Sequence, residues 1–246
     1  MKKTCLTFAI AFFALAAQAQ YCNTEKGTAL LYISSDRQAN ETRIDTTLIS
    51  AVRTQDGKTL VEQTLCNPKT RGKDSIFDDN STIKFAYGTD KTTERIIIDE
   101  NWGVETMQTL QKELAPQEKG MPFDPEELER TAGNHKGAIT IPLRKDITEG
   151  EKIPSGKFTI KASFMKAGLE VSKGRYEGFE KVTVPAGAFN CLKVSYKLRK
   201  NILYLPRTVY VTQWYAEGIG LVKEETADKK GYLKQSKTLF RIISPE

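Results

Sequence analysis

The chain has 246 residues, 28% of them charged, with a formal net charge of +6 and a single histidine. Its cations are scattered, as at Lys152, Lys157, Lys161, Lys166 and Lys173, so the Lys/Arg stripe of a nucleic-acid binder is missing. His135 stands in a polar Gly-Asn-His-Lys-Gly stretch. One such histidine supplies neither a His-based triad nor a close His/Cys metal set, and no glycine-rich phosphate loop occurs.

Residues 1–19 read as a cleavable secretory signal. Lys2 and Lys3 give a positive start, Cys5 to Ala17 run apolar and small, and Ala17-Gln18-Ala19 puts small side chains at −3 and −1 of a cut after Ala19. The run is shorter than the roughly 20 residues a helix needs to cross a bilayer, and no second run follows. The sequence therefore predicts an exported, soluble chain, mature from Gln20, that is not an integral membrane protein. The expected compartment is the periplasm, with secretion or the cell surface as the alternative. Lipid attachment is disfavoured, because Ala19-Gln20-Tyr21 precedes Cys22 where small residues would be needed. Loss of Lys2 and Lys3 lowers the charge from +6 to +4.

Cys22, Cys66 and Cys191 survive the cut, and an oxidising compartment permits a disulfide. Three pairings can be drawn. In a simple meander over residues 28–66, Cys22 precedes strand one and Cys66 ends strand three, at opposite ends of the sheet. A bridge needs Cα atoms within about 7 Å. The expectation is therefore Cys22 with Cys191, leaving Cys66 a free, half-buried thiol.

Period-two alternation then runs along the chain. Ile44, Thr46, Leu48, Ser50 and Val52 share one strand face; Val61, Gln63 and Leu65 follow the turn at Asp56-Gly57; Ile83, Phe85 and Tyr87 precede Glu94 to Ile98. Asp78-Asp79 between them is ordinary loop composition. The period changes at Val104, Met107, Leu110 and Leu114, and Asp124-Pro125-Glu126-Glu127 reads as a second helix start. Its acidic run suits a helix N-terminus better than a metal cluster.

Strand signals resume at Ile139, Ile141 and Leu143, then at Phe158, Ile160, Ala162 and Phe164. The segment 187–202 carries Leu192, Val194, Tyr196 and Leu198 on one side, while Phe189 and Cys191 fall on the other parity, which predicts a bulge near Cys191. Thr208 to Trp214, Leu221-Val222 and Leu233 to Ile243 complete the pattern. About ten strands with no alternating helices predict a mainly β fold. The expected form is one strongly curved antiparallel sheet or open β-barrel over 20–246, with a short helical insert near 104–132 between two β runs. Two sequential β modules, cut within 104–136, are the alternative.

Two stretches carry a resemblance: Val184-Pro185-Ala186-Gly187-Ala188-Phe189-Asn190-Cys191-Leu192-Lys193-Val194-Ser195-Tyr196 and Thr212-Gln213-Trp214-Tyr215-Ala216-Glu217-Gly218-Ile219-Gly220-Leu221-Val222-Lys223. Together they resemble the TapB-like exported proteins of Bacteroidota, built on a domain of unknown function. The resemblance implies a fold similar to periplasmic carriers of the LolA and LolB type, an incomplete barrel whose helix-covered hollow can hold an acyl chain. It brings no reaction and no catalytic residues. The inward candidates for an apolar ligand are Leu192, Val194, Tyr196, Tyr210 and Trp214. The expected function is non-catalytic binding of a lipid or acylated protein, with no metal and no cofactor. The alternative is a cell-envelope interaction protein that offers a sheet edge or the 104–136 segment to a protein partner.

Overall fold

The computed structural model describes residues 20–37, 41–66, 82–88, 92–98, 135–161, 166–202 and 205–245. The signal segment 1–19 and the helical insert near 104–132 lie outside them. The described residues contain strands and no helix: β1 (Ala29–Asp36), β2 (Glu41–Gln55), β3 (Lys58–Leu65), β4 (Thr82–Tyr87), β5 (Thr93–Ile98), β6 (His135–Lys136), β7 (Ile139–Leu143), β8 (Lys152–Ile153), β9 (Gly156–Lys161), β10 (Lys166–Val184), β11 (Gly187–Ile202), β12 (Leu205–Ala216), β13 (Gly220–Ala227) and β14 (Leu233–Ile243).

All fourteen belong to one sheet, in the order β6-β9-β10-β11-β12-β13-β14-β1-β2-β3-β4-β5-β7, with β8 on β10. The path starts at β6 and stops at β7, which are consecutive in the chain. Lys136 pairs Thr159 of β9, and three residues later Ile139 pairs Ile98 of β5. Counting β6 and β7 as one bent strand, the path holds twelve antiparallel strands and comes back to its own start. An even number is what alternating strand directions need when a sheet closes, so the fold is a nearly closed barrel.

The seam depends on one glycine. Gly137 stands between β6 and β7 with φ +90°, and a Cβ there would lie 2.1 Å from the Lys157 carbonyl oxygen. Only a residue without a side chain lets these two backbones approach.

Fourteen strands, against about ten expected, include the longest one, β10, whose alternation is confined to Ala167, Leu169 and Val171 at its start. Its register shifts twice, between Ser172 and Arg175 and between Tyr176 and Gly178, with Lys173 and Gly178 at φ 55° and 91°. Each bulge resets which side chains face inward, so a nineteen-residue strand reads as three unrelated fragments. The bulge expected near Cys191 is not in β11. Cys191 pairs regularly with Glu180 and Ala216, and the irregularity lies in the facing strand at Tyr176–Gly178.

The two ends of the barrel differ. At one end lie the tight hairpins β2–β3, β10–β11 and β12–β13. Residues 20–28 cross this end: Gly218 N–H donates to the Gln20 carbonyl at 2.8 Å, and Gly27 N–H to that of Ile49 at 2.9 Å. Tyr21 N–H donates to Thr93 Oγ1 at 3.0 Å. The tip of the β10–β11 hairpin adds a bond from Ala186 N–H to the Leu239 carbonyl at 3.4 Å. Tyr21 and Cys22 end up buried in the core. At the opposite end, β3 leads to β4 and β5 to β6 through the two longest connections of the chain.

Candidate functional site

Pairing register decides which side chains enter the barrel, because partners across a ladder share a face. Leu192, Val194 and Tyr196 of β11 pair Tyr215, Gln213 and Val211 of β12, and all six are buried. These three inward candidates therefore share the inner face, with two polar neighbours the sequence did not single out. Tyr210 and Trp214 do not join them. Their partners are Lys197 and Lys193, so both stand on the outer face. Trp214 is nevertheless covered, with the Lys193 and Lys223 ammoniums 5.2 and 4.7 Å from its ring and its indole N–H donating to Glu180. That burial is a lid of lysine stems and a carboxylate, a structural role. β12 is apolar on both faces, so hydrophobicity alone could not reveal which of its residues point inward.

The inner surface has two walls. On β7, β9 and β10 it is apolar: Ile139 and Ile141, Phe158 and Ile160, Leu169 and Val171, all buried. Across β12, β13, β14, β1 and β2 one row reads Gln213, Glu224, Lys237, Ser34, Arg43 through successive pairings. The neighbouring row adds Tyr32 and Asp45. Arg95 enters from β5, opposite Phe85, and its charge acts on Tyr32, Tyr196, Tyr215 and Lys237. Phe85 spans the interior to meet Tyr215 edge-on, centroids 6.4 Å apart at 81°.

Two carboxylates of this wall, Glu224 and Asp45, are occupied. Glu224 accepts from Gln213 Nε2 at 2.5 Å, and Gln213 in turn accepts from the Tyr215 hydroxyl at 2.9 Å. Asp45 accepts from Ser34 Oγ at 2.5 Å and from Arg43 Nε at 2.6 Å. Two cations are treated differently. Lys237 lies opposite Glu224 on the ladder, yet its ammonium sits 4.5 Å above the Tyr32 ring and forms no ion pair among the described residues. Arg95 donates to its own neighbour's carbonyl, Ile96 O, at 2.9 Å, and stacks 5.3 Å above Phe85. It too has no carboxylate in contact among the described residues.

The titrations follow. Burial lowers the Lys237 ammonium below the ordinary lysine value; Glu224 and Asp45 oppose that shift, Arg95 and Arg43 add to it. Burial raises the Tyr196 hydroxyl well above its usual range and Tyr215 to about 12. At the sealed end, burial raises Cys22 to about 12, and burial with the Glu180 charge raises Cys191 to about 11. Cys22 and Cys191 are free, buried thiols in the structure, and Cys66 is exposed where a half-buried position was expected. The hydroxyl of Tyr21, Thr47 Oγ1 and Gln63 Nε2 are buried without a hydrogen-bond partner.

Arg95, Glu224 and Lys237 escaped the sequence reading because strand charges are usually outward. A signal existed in β14 and β1: Lys237 has the parity of buried Leu239, and Ser34 that of buried Tyr32 and Leu30.

The molecule is thus a twelve-stranded antiparallel barrel with one sealed end and a charged inner wall. The family model of DUF3108-like proteins matches residues 130–239, less than half of the chain, and takes in Gln213, Glu224 and Lys237. Two solved structures share the fold over most of the chain. One is a Parabacteroides distasonis protein provisionally described as a lipoprotein, with a TM-score of 0.58 at 16% identity, covering 91% of this chain and 98% of the other. The second is a Bacteroides fragilis protein provisionally described as exported, with a YmcC-like fold; its TM-score is 0.57 at 15% identity, with 91% and 98% covered. No curated protein matches the sequence.

Proposed function

We propose that this chain is an exported, non-catalytic binding module that takes an amphiphile, a lipid or acylated protein, inside its barrel. The observation that carries this reading is the division of the inner surface. One wall is aliphatic and aromatic, while Arg43, Asp45, Glu224 and Lys237 face it from the other side and Arg95 enters beside it from β5. A barrel that needed only a core would keep these groups outside, since bringing a charge in from water costs several kcal/mol unless it is compensated. A two-faced interior fits a two-faced ligand.

The leader at 1–19 supports export, as do the descriptions of the two structural neighbours; the TapB-like resemblance points the same way. The outer residues of β11, Lys193, Ser195, Lys197 and Arg199, do not form the apolar belt of a membrane barrel, which favours a soluble protein of the periplasm.

Native mass spectrometry of protein purified from its own envelope tests the reading, with displacement of 1-N-phenylnaphthylamine as the solution counterpart. A co-purifying amphiphile or a saturable displacement curve is expected. Bare protein that neither binds nor releases the probe overturns it.

A further inference from the structure

We propose that Arg95 and Lys237 together bind the anionic head of the ligand, a carboxylate or phosphate group; this rests on the amphiphile reading above. Lys237 is inward by its pairing with Glu224 and Ser34, and Arg95 by its pairing with buried Phe85 and Ile141. They come from opposite sides of the barrel: Arg95 lies over Phe85 and bonds the Tyr215 hydroxyl that leads through Gln213 to Glu224, the ladder partner of Lys237, and Lys237 lies over Tyr32. Two cations facing one desolvated interior repel one another, and each lacks a carboxylate in contact among the described residues.

Glu224 and Asp45 are turned away. Glu224 stands across the ladder from Lys237 but gives its carboxylate to Gln213, which the Tyr215 hydroxyl holds in place. Asp45 gives both oxygens to Ser34 and Arg43. Arg43 is held by Asp45 and by Glu41 at 3.9 Å, whereas Arg95 and Lys237 have no carboxylate in contact among the described residues. An oxyanion between the guanidinium and the ammonium removes the repulsion and supplies the missing acceptor, with the charge-assisted bonds that such pairs make. Tyr32 and Tyr196 are buried on the same inner face, and their hydroxyls are both under the influence of Arg95 and Glu224.

The test uses the mature chain and three probes, oleate, methyl oleate and inorganic phosphate, measured by calorimetry at neutral pH and low salt. Oleate should bind wild type at least tenfold more tightly than methyl oleate. Lys237→Met and Arg95→Gln should each weaken oleate at least tenfold and leave methyl oleate unchanged. Lys237→Arg should keep oleate within a few-fold of wild type, and Lys193→Met, on the outer face, should match wild type. Equal binding of oleate and methyl oleate by wild type overturns the head-group site while the amphiphile reading stands. The head-group site is likewise overturned if folded Lys237→Met and Arg95→Gln bind oleate as wild type does. Phosphate binding that is lost in Lys237→Met, with neither oleate nor its ester bound, upholds the anion site and overturns the amphiphile reading. Failure to bind any of the three overturns both. The wild-type comparison of acid and ester decides the matter even if a variant does not fold.

Discussion

The two inner walls of the barrel are built by the same alternation but serve opposite ends. On β7, β9 and β10 the inward face is built from buried Ile139, Ile141, Phe158, Ile160, Leu169 and Val171; this wall stabilises. On β12 to β14, β1 and β2 the inward positions are shared between buried Leu30, Ile49, Val211, Val222 and Leu239 and groups that are costly to desolvate, Asp45, Glu224 and Lys237, and Lys237 has no carboxylate in contact among the described residues. The difference teaches that recognition groups are confined to one side of the barrel: the wholly apolar wall adds hydrophobic free energy that offsets their desolvation. Perturbing one wall at a time, by pH or by substitution, tests that separation.

The largest effect should come from base. Tyr32, Tyr196 and Tyr215 are held protonated by burial, above the ordinary tyrosine value. Above pH 10 the unfolded chain loses these protons and the folded chain keeps them, so the unfolded state binds fewer. Stability therefore falls as pH rises, by about 1.4 kcal/mol per pH unit for each tyrosine. Urea unfolding followed from pH 9 to 11 should show a steep loss, largely flattened in a Tyr32→Phe/Tyr196→Phe/Tyr215→Phe variant. A wild-type curve as flat as the variant's would mean the hydroxyls are solvated.

On the apolar wall, Phe158 is fully buried opposite Leu169. Phe158→Ala should cost about 3–5 kcal/mol in urea unfolding and leave the preference for acid over ester intact in protein that remains folded. Loss of that preference would show that the walls do not act separately.

The strands were legible where inward and outward residues keep strict alternation. Ile83, Phe85 and Tyr87, or Leu192, Val194 and Tyr196, fell on the inner face as their spacing said. β10 was not, because bulges at Ser172–Arg175 and Tyr176–Gly178 break the period that reveals a strand. The seam was not either: Gly137 looks like any loop glycine until β9 is placed beside it. The charged wall was hidden for a different reason. A lone Lys237 or Arg95 is indistinguishable from a surface cation in sequence, and their convergence depends on pairing strands far apart in the chain. For Trp214 and Tyr215, adjacent aromatics gave no clue to which one turns in, and a bulge between them removes even the simple parity argument.

The contrast between walls also presumes a tight sealed end, and thiol chemistry reads it. At pH 8, the Cys22 thiolate should be about a thousandfold scarcer than an ordinary cysteine's and that of Cys191 about a hundredfold. Iodoacetamide with peptide mass mapping should therefore mark Cys66 first, with Cys22 and Cys191 protected until denaturant is added. Three thiols should then titrate without reductant. A count of one would place a bridge between Cys22 and Cys191 in the exported protein, and rapid native labelling of Cys22 would show that residues 20–28 do not close the barrel.

The smallest effect is the most telling for the polar wall. Lys237→Met removes a desolvated cation and keeps the stem, so the ligand-free variant should be more stable than wild type at neutral pH, by on the order of 1 kcal/mol. The sign carries through to pH. The ammonium titrates lower in the fold than in the unfolded chain, so between those two values the unfolded state binds more protons, and wild-type stability gains with rising pH. Below that window the penalty is complete; near the ordinary lysine value, about 10.4, it is gone. The advantage of Lys237→Met should thus shrink as pH rises towards 10, the tyrosine losses being common to both proteins. Saturating oleate should reverse the order at pH 7, because the anion binds more tightly to, and so stabilises more, the chain that still has its ammonium. A lysine kept merely to brace the Tyr32 ring would give the opposite result, with Lys237→Met the weaker protein at every pH.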